Sequence, residues 1–128
     1  MTVLRDLMNT HVIAAAPNTP VAEAAAVMVE ANVGSAVVMQ GPFLVGILTE
    51  RDVLRAAASG QDLSASLVSA WMTPEPQSAR PDTTVEEATQ IMLLNGFRHL
   101  PVVEGRTVCG VVSLRELFAP RIRRPLAG

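Results

Sequence analysis

Hydrophobic residues along the chain alternate between two periods. Val21, Ala24, Ala25 and Met28 recur at helical spacing, and Val85, Ala88 and Met92 repeat that face further on. Short β-branched runs follow each helix: Ala36–Met39 and Phe43–Leu48, then Leu100–Val103 and Thr107–Val112. Gln40-Gly41-Pro42 and Glu104-Gly105-Arg106 join these runs and predict hairpin turns. Short extended pieces precede the helices, at Val12–Ala14 and about Gln77–Ser78, and a further helix is expected to start at Thr49 and at Ser113. Thr19 is predicted to cap the first helix, with Pro20 at its first position. Thr83 with Glu86 reads as a capping box for the third helix, and Asn95-Gly96 as its end.

The same order of elements is written twice. A shift of 64 positions places Thr19 on Thr83, Pro17 on Pro81, Met28 on Met92, Gly41 on Gly105, Gly46 on Gly110 and Arg51 on Arg115. The fold class expected is α+β, as two β-α-β-β-α repeats packed pseudo-symmetrically through their small sheets. The boundaries are residues 4–60 and 68–119, with the Ala- and Ser-rich stretch Ala56–Leu67 as linker and residues 120–128 as a basic tail. A small sheet has a face to bury, and pairing two copies would bury it.

Composition narrows the function. Almost half of the 128 residues are hydrophobic, which argues against disorder. A net charge of −2 gives no general attraction to nucleic acid or anionic membranes. The arginines of Arg121-Ile-Arg-Arg-Pro125 are read as a solvated end. A lone Cys109, expected as a buried inert thiol, excludes an internal disulfide framework and argues against a cysteine metal site. No leader pattern or apolar run of membrane length is visible, so a cytoplasmic protein is expected. His11 and His99 lack the partners of a catalytic or metal-ligating histidine, and Trp71 reads as a packing or subunit contact.

The candidate chemistry lies where a strand runs into a helix, at Gly46-Ile-Leu-Thr-Glu-Arg-Asp52 and Gly110-Val-Val-Ser-Leu-Arg-Glu116. First-turn amides carry partial positive charge, a hydroxyl can donate to phosphate, Arg supplies a planar donor fork, and a carboxylate can accept a ribose cis-diol. By themselves both segments read more readily as ordinary capping boxes, which occur wherever helices begin.

The chain resembles a tandem pair of cystathionine-β-synthase (CBS) domains, a Bateman module, over about residues 4–119. The resemblance rests on Met8-Asn-Thr10 and Met72-Thr-Pro74, Pro17–Ala24 and Pro81–Ala88, Arg98-His-Leu-Pro-Val102 and the two glycine-to-helix segments. It implies a regulatory, non-enzymatic module binding AMP, ADP, ATP or S-adenosylmethionine in clefts between the repeats, with no required cofactor. Carried over by position, Thr49, Arg51 and Asp52 would hold phosphate and ribose, with Val12, Ile13, Gly34, Ser35 and Ala36 around the adenine. The second set would be Ser113, Arg115 and Glu116 with Gln77, Arg98, His99, Leu100 and Pro101. Glu116 departs from the family's Asp and sets the carboxylate about 1.5 Å further out. A homodimer is implied. With no effector domain recognisable in these residues, the signal would pass to a separate effector protein or through oligomerisation. A ligand-free assembly module is the alternative.

Overall fold

The computed structural model describes residues 1–118; the Arg121–Pro125 segment lies outside the described residues. The chain folds into two units. The central unit is Val12–Pro76, and the terminal unit combines Met1–His11 with the chain from Gln77 onward.

The central unit contains β1 (Ala14–Ala15), α1 (Val21–Ala31), β2 (Ser35–Gln40), β3 (Phe43–Thr49), α2 (Glu50–Ala58), α3 (Val68–Trp71) and β4 (Thr73–Pro74). Its sheet has the order β1-β2-β3-β4, with β1 parallel to β2 and the other pairs antiparallel. The terminal unit holds a 3-10 turn at Leu4–Asp6, then α4 (Val85–Asn95), β5 (His99–Glu104), β6 (Thr107–Ser113) and α5 (Leu114–Phe118). Strands β5 and β6 pair antiparallel, flanked by single bridges from Ala79 to Val102 and from Asn9 to Val111.

Both hairpins close through two residues, with Gly41 at φ +59° and Gly105 at φ +63°, a conformation that favours glycine. Both carry a bulge at the same place: Val45 and Cys109 are the extra residues, after the Val38–Gly46 and Val102–Gly110 pairs. Cys109 is half-buried, with its Sγ 3.4 Å from the Val102 carbonyl oxygen.

The helix starts differ from the sequence expectation. The N-cap of α4 is Thr84, whose hydroxyl accepts from the Glu87 amide while Glu87 accepts from the Thr84 amide. The N-cap of α1 is Pro20. Thr19 and Thr83 are instead occupied one step earlier, accepting the Ala16 and Arg80 amides at 3.0 and 2.9 Å. A hydroxyl engaged in that turn cannot also cap the helix, so each cap moves on by one residue. The extended pieces also fall later than expected, at Ala14–Ala15 and Ala79. The helix ends are as read for Gly96 (φ +73°), with Asn32 (φ +56°) at the equivalent position in α1.

The expected linker Ala56–Leu67 is in part structural. Ala56–Ala58 belong to α2, and the Leu63 and Ser66 carbonyls accept the Ala22 and Val21 amides that open α1. Val68 and Ser69 then donate to Thr19 and Pro17. The terminal unit repeats this pattern with the chain's start: Val85 donates to Thr2, Leu4 to Thr83 and Arg5 to Pro81. Each repeat's leading segment is therefore built into the unit formed by the body of the other repeat. Glycine makes the second half of this contact possible. A Cβ on Gly110 would lie 2.7 Å from the Met8 sulfur and 3.1 Å from the Asn9 carbonyl oxygen; Gly46 meets Met72 and Thr73 in the same way.

Two cores result. Ala24, Met28, Ala36, Val38, Leu48 and Val68 form the central one. Leu4, Val85, Ala88, Met92, Leu100, Val102, Val112 and Leu117 dominate the terminal one. Val68 and Leu4, both from leading segments, are fully buried.

Candidate functional site

In the central unit three chain segments meet at one end of the sheet. Ser35 opens β2 opposite Thr49, which closes β3. The Ile13 carbonyl accepts the Val37 amide at 2.9 Å, which sets Val12 and Ile13 beside the start of β2. The Gly34 carbonyl accepts the Glu50 amide at 2.9 Å, tying the loop before β2 to the first turn of α2. Gly34 and Thr49 are half-buried, Ser35 and Ala36 are buried and Arg51 is exposed. The structure thus brings together the residues the sequence assigned to the first site, with Arg51 at its surface.

Asp52 is 6% exposed and fully engaged. Its Oδ2 accepts from the Thr49 amide at 2.9 Å and from the Thr49 hydroxyl at 3.1 Å, while the Asp52 amide donates back to that hydroxyl at 3.3 Å. Its Oδ1 accepts from Arg55 at 2.8 Å. The Arg55 guanidinium also stands 5.5 Å from the centre of the half-buried Trp71 ring. The Trp71 Nε1 is buried without a hydrogen-bond partner in the described residues. Arg55 and Trp71 were missed as neighbours of the site. The i, i+3 spacing from Asp52 to Arg55 is the signal that could have found Arg55; nothing in the sequence pairs Arg55 with Trp71.

These contacts narrow the anion site expected from bare helix-start amides. The amides of Glu50 and Asp52 already have acceptors, Gly34 and Thr49. The terminal unit repeats the arrangement: Leu114 donates to the Arg98 carbonyl at 2.8 Å, and Glu116 donates to the Ser113 hydroxyl at 3.1 Å. Glu116 folds back, its Oε1 accepting the Ser113 amide at 2.8 Å. The extra methylene lets the carboxylate reach the cap, as in the capping-box reading.

The rest of the second set is less uniform. His99 pairs with Ser113 across the hairpin. Arg98 and Arg115 are exposed, and Pro101 is buried with its carbonyl accepting the Ala79 amide. Exposed Gln77 reaches the Asn95 side chain at 3.5 Å. The Leu100 side chain is wholly within the terminal core, which leaves only its backbone for a ligand. Among the described residues no group of three or more His, Cys, Asp or Glu is placed to hold a metal ion, and no helix is long and apolar enough to cross a membrane.

A second feature of the central unit is an open groove of about 310 Å³ between β1, the start of α1 and β2. Of the predicted site residues only Ile13 and Ala36 line it.

The CBS-domain family model matches residues 4–59 and again 68–119. The chain belongs to the CBS-domain family. It is 42% identical over 118 residues to an uncharacterized 17.7 kDa protein of Acidianus ambivalens, covering 91% of this chain and 71% of that one. It is 36% identical over 129 residues to the CBS domain-containing protein YhcV of Bacillus subtilis, covering 100% of this chain and 91% of that protein. Its fold matches the CBS domain pair of protein MJ0100 in complex with 5′-methylthioadenosine and S-adenosyl-L-methionine, with a TM-score of 0.85 at 25% identity, over 95% of this chain and 99% of that one. It also matches CBSX2 in complex with AMP, with a TM-score of 0.75 at 25% identity, over 94% and 96% of the two chains. The CBS pair accounts for the doubled sequence and for the α+β class of both units.

Proposed function

We propose that this CBS pair is a regulatory module that binds an adenosine ligand, of the AMP, ADP, ATP or S-adenosylmethionine class, at the β3–α2 junction of the central unit. The observation that carries the reading is Asp52. It is a buried carboxylate fixed by the Thr49 cap through Oδ2, while Oδ1 faces only the half-exposed Arg55 side chain. A ribose hydroxyl can take the place of the Arg55 donor at Oδ1 without dismantling the cap. The released guanidinium, with Arg51 beside it, is then available to phosphate. Val12, Ile13, Gly34 and Ser35 offer backbone groups and small side chains for the base. AMP in CBSX2 and the adenosyl compounds in the MJ0100 pair support the ligand class.

Binding alone does not signal. The ligand has to favour one of two states of the module, and the output passes to an effector protein or through self-association. Exposed Val29, Leu54, Leu93 and Leu94 on α1, α2 and α4 support a homodimer. Sedimentation of wild type against a Leu93→Glu, Leu94→Glu double variant tests it: the variant is expected to lose mass.

A second reading, a constitutive assembly module without ligand, is favoured by one observation. At both junctions two first-turn amides are already accepted within the protein. Thermal-shift titration with AMP, ATP and S-adenosylmethionine separates the two. A ligand at ~100 times its Kd adds about 2.7 kcal/mol of stability, and no shift with any of them rejects the sensing reading.

A further inference from the structure

The groove beside α1 lies where the two repeats differ in two ways. The first concerns the cap. In α4 the carboxylate of Glu87 is consumed by Thr84. At the equivalent position of α1 stands Pro20, which has neither a hydroxyl nor an amide hydrogen to offer. The equivalent carboxylate, Glu23, therefore makes no side-chain hydrogen bond or ion pair among the described residues, and it lies on the lining of the groove. The second difference is bulk. Ile13, Ala16, Val27 and Ala36 line the groove, and their counterparts in the other repeat are Gln77, Arg80, Ile91 and Leu100, each longer. Only Met39 runs the other way, against Val103. The wall of the groove is otherwise aliphatic, with Thr19 already bound to the Ala16 amide.

We propose that this groove is a second ligand site, which shares Ile13 and Ala36 with the adenosine set but not Thr49, Arg51 or Asp52, for a small organic cation with an apolar body. Its volume of about 310 Å³ stands at the small end of ligand pockets, which run from about 300 to 1,000 Å³. The aliphatic wall removes the apolar body from water, and the single unpartnered carboxylate selects an ammonium group over a neutral or anionic one. The terminal unit is the internal control: its equivalent carboxylate is tied up and its equivalent positions are larger.

The test uses the full chain labelled with 15N and two probes of matched shape, 2-phenylethylamine and 2-phenylethanol. The amine is expected to shift the amides of Ala15–Ala16 and Glu23–Ala24 saturably, and to bind about fivefold more tightly than the alcohol, the upper range for an exposed ion pair. Glu23→Gln is expected to equalise the two probes while leaving the spectrum otherwise folded. Ala36→Leu is expected to remove binding of both. Should that variant fail to fold, Ala16→Arg, which changes a half-buried position outside the core cluster, takes its place. Equal binding of amine and alcohol, an unchanged amine preference in Glu23→Gln, or shifts away from the groove would each overturn the proposal. So would shifts that follow protein concentration and ignore the probes, which would give the groove to a second copy of the chain. Adenosine ligand binding at Asp52 is read separately in the same samples and is expected to be unaffected by Glu23→Gln.

Discussion

The central and terminal units share a backbone to a surprising level of detail and differ where ligands would touch them. Both have a two-residue hairpin turn, a bulge one position before the equivalent glycine, and a leading segment supplied by the other repeat. The side chains on this common frame have different employment. Asp52 caps with one oxygen and holds Arg55 with the other; Glu116 reaches back to Ser113, and its i+3 position lies outside the described residues. Glu87 caps; Glu23 does not. A duplicated fold thus holds backbone contacts in common while its first-turn carboxylates find different partners. Whether a carboxylate at the third position of a helix joins the cap depends on the N-cap residue: Thr84 engages Glu87, and Pro20 leaves Glu23 out.

The largest effects should come from the exchanged leading segments. Leu4→Ala is expected to cost about 2–5 kcal/mol, the usual range for a buried leucine. Denaturant titration measures the loss, and hydrogen exchange should place the added opening in α4 and β5. Val68→Ala should loosen α1 and β2 instead. The opposite localisation would break the exchange.

Next in size is the glycine contact. Gly46→Ala and Gly110→Ala should each destabilise by about 1–3 kcal/mol, through crowding against Met72 with Thr73 and Met8 with Asn9. Comparable midpoint shifts sharpen the equivalence of the units; a neutral result at one glycine removes it.

Caps come third. Thr84→Ala and Thr49→Ala should each cost about 1 kcal/mol, whereas Thr83→Ala should leave helix α4 capped and be read as a turn effect. The smallest effect is acid sensitivity. Hydrogen bonds from the Thr84 amide and then its hydroxyl hold the Glu87 carboxyl below the usual glutamate range. A lowered folded value means that the cap's contribution is complete above the ordinary glutamate value. It is lost as pH falls through the lowered one. Amide exchange at the start of α4 should therefore accelerate on acidification in wild type and lose that dependence in Glu87→Gln.

Much of this was legible in the sequence, for identifiable reasons. Period and β-branching located both hairpins and both long helices, and Val21, Ala24 and Met28 face a core as their spacing required. The caps were misplaced by one residue because Thr19 and Thr83 look like caps until the turn ahead of them is seen to occupy their hydroxyls. The exchanged segments were not legible at all. An apolar pattern says that Leu4 and Val68 are buried, not in which repeat's unit. At the candidate site the Thr49–Asp52 pair was readable from spacing. The stacking of Arg55 on Trp71 was not, since it joins residues far apart in the chain.

The two repeats are alike as scaffolds, and on the proposed reading they are unlike as ligand sites. Calorimetric titration of AMP and of S-adenosylmethionine into wild type, Asp52→Asn and Glu116→Gln tests it most directly. At least one of these ligands is expected to bind wild type, Glu116→Gln is expected to bind it equally well, and Asp52→Asn is expected to weaken it by about tenfold, or 1.4 kcal/mol. Undiminished binding by Asp52→Asn, loss of binding in Glu116→Gln, or no binding by wild type to either ligand would contradict that reading.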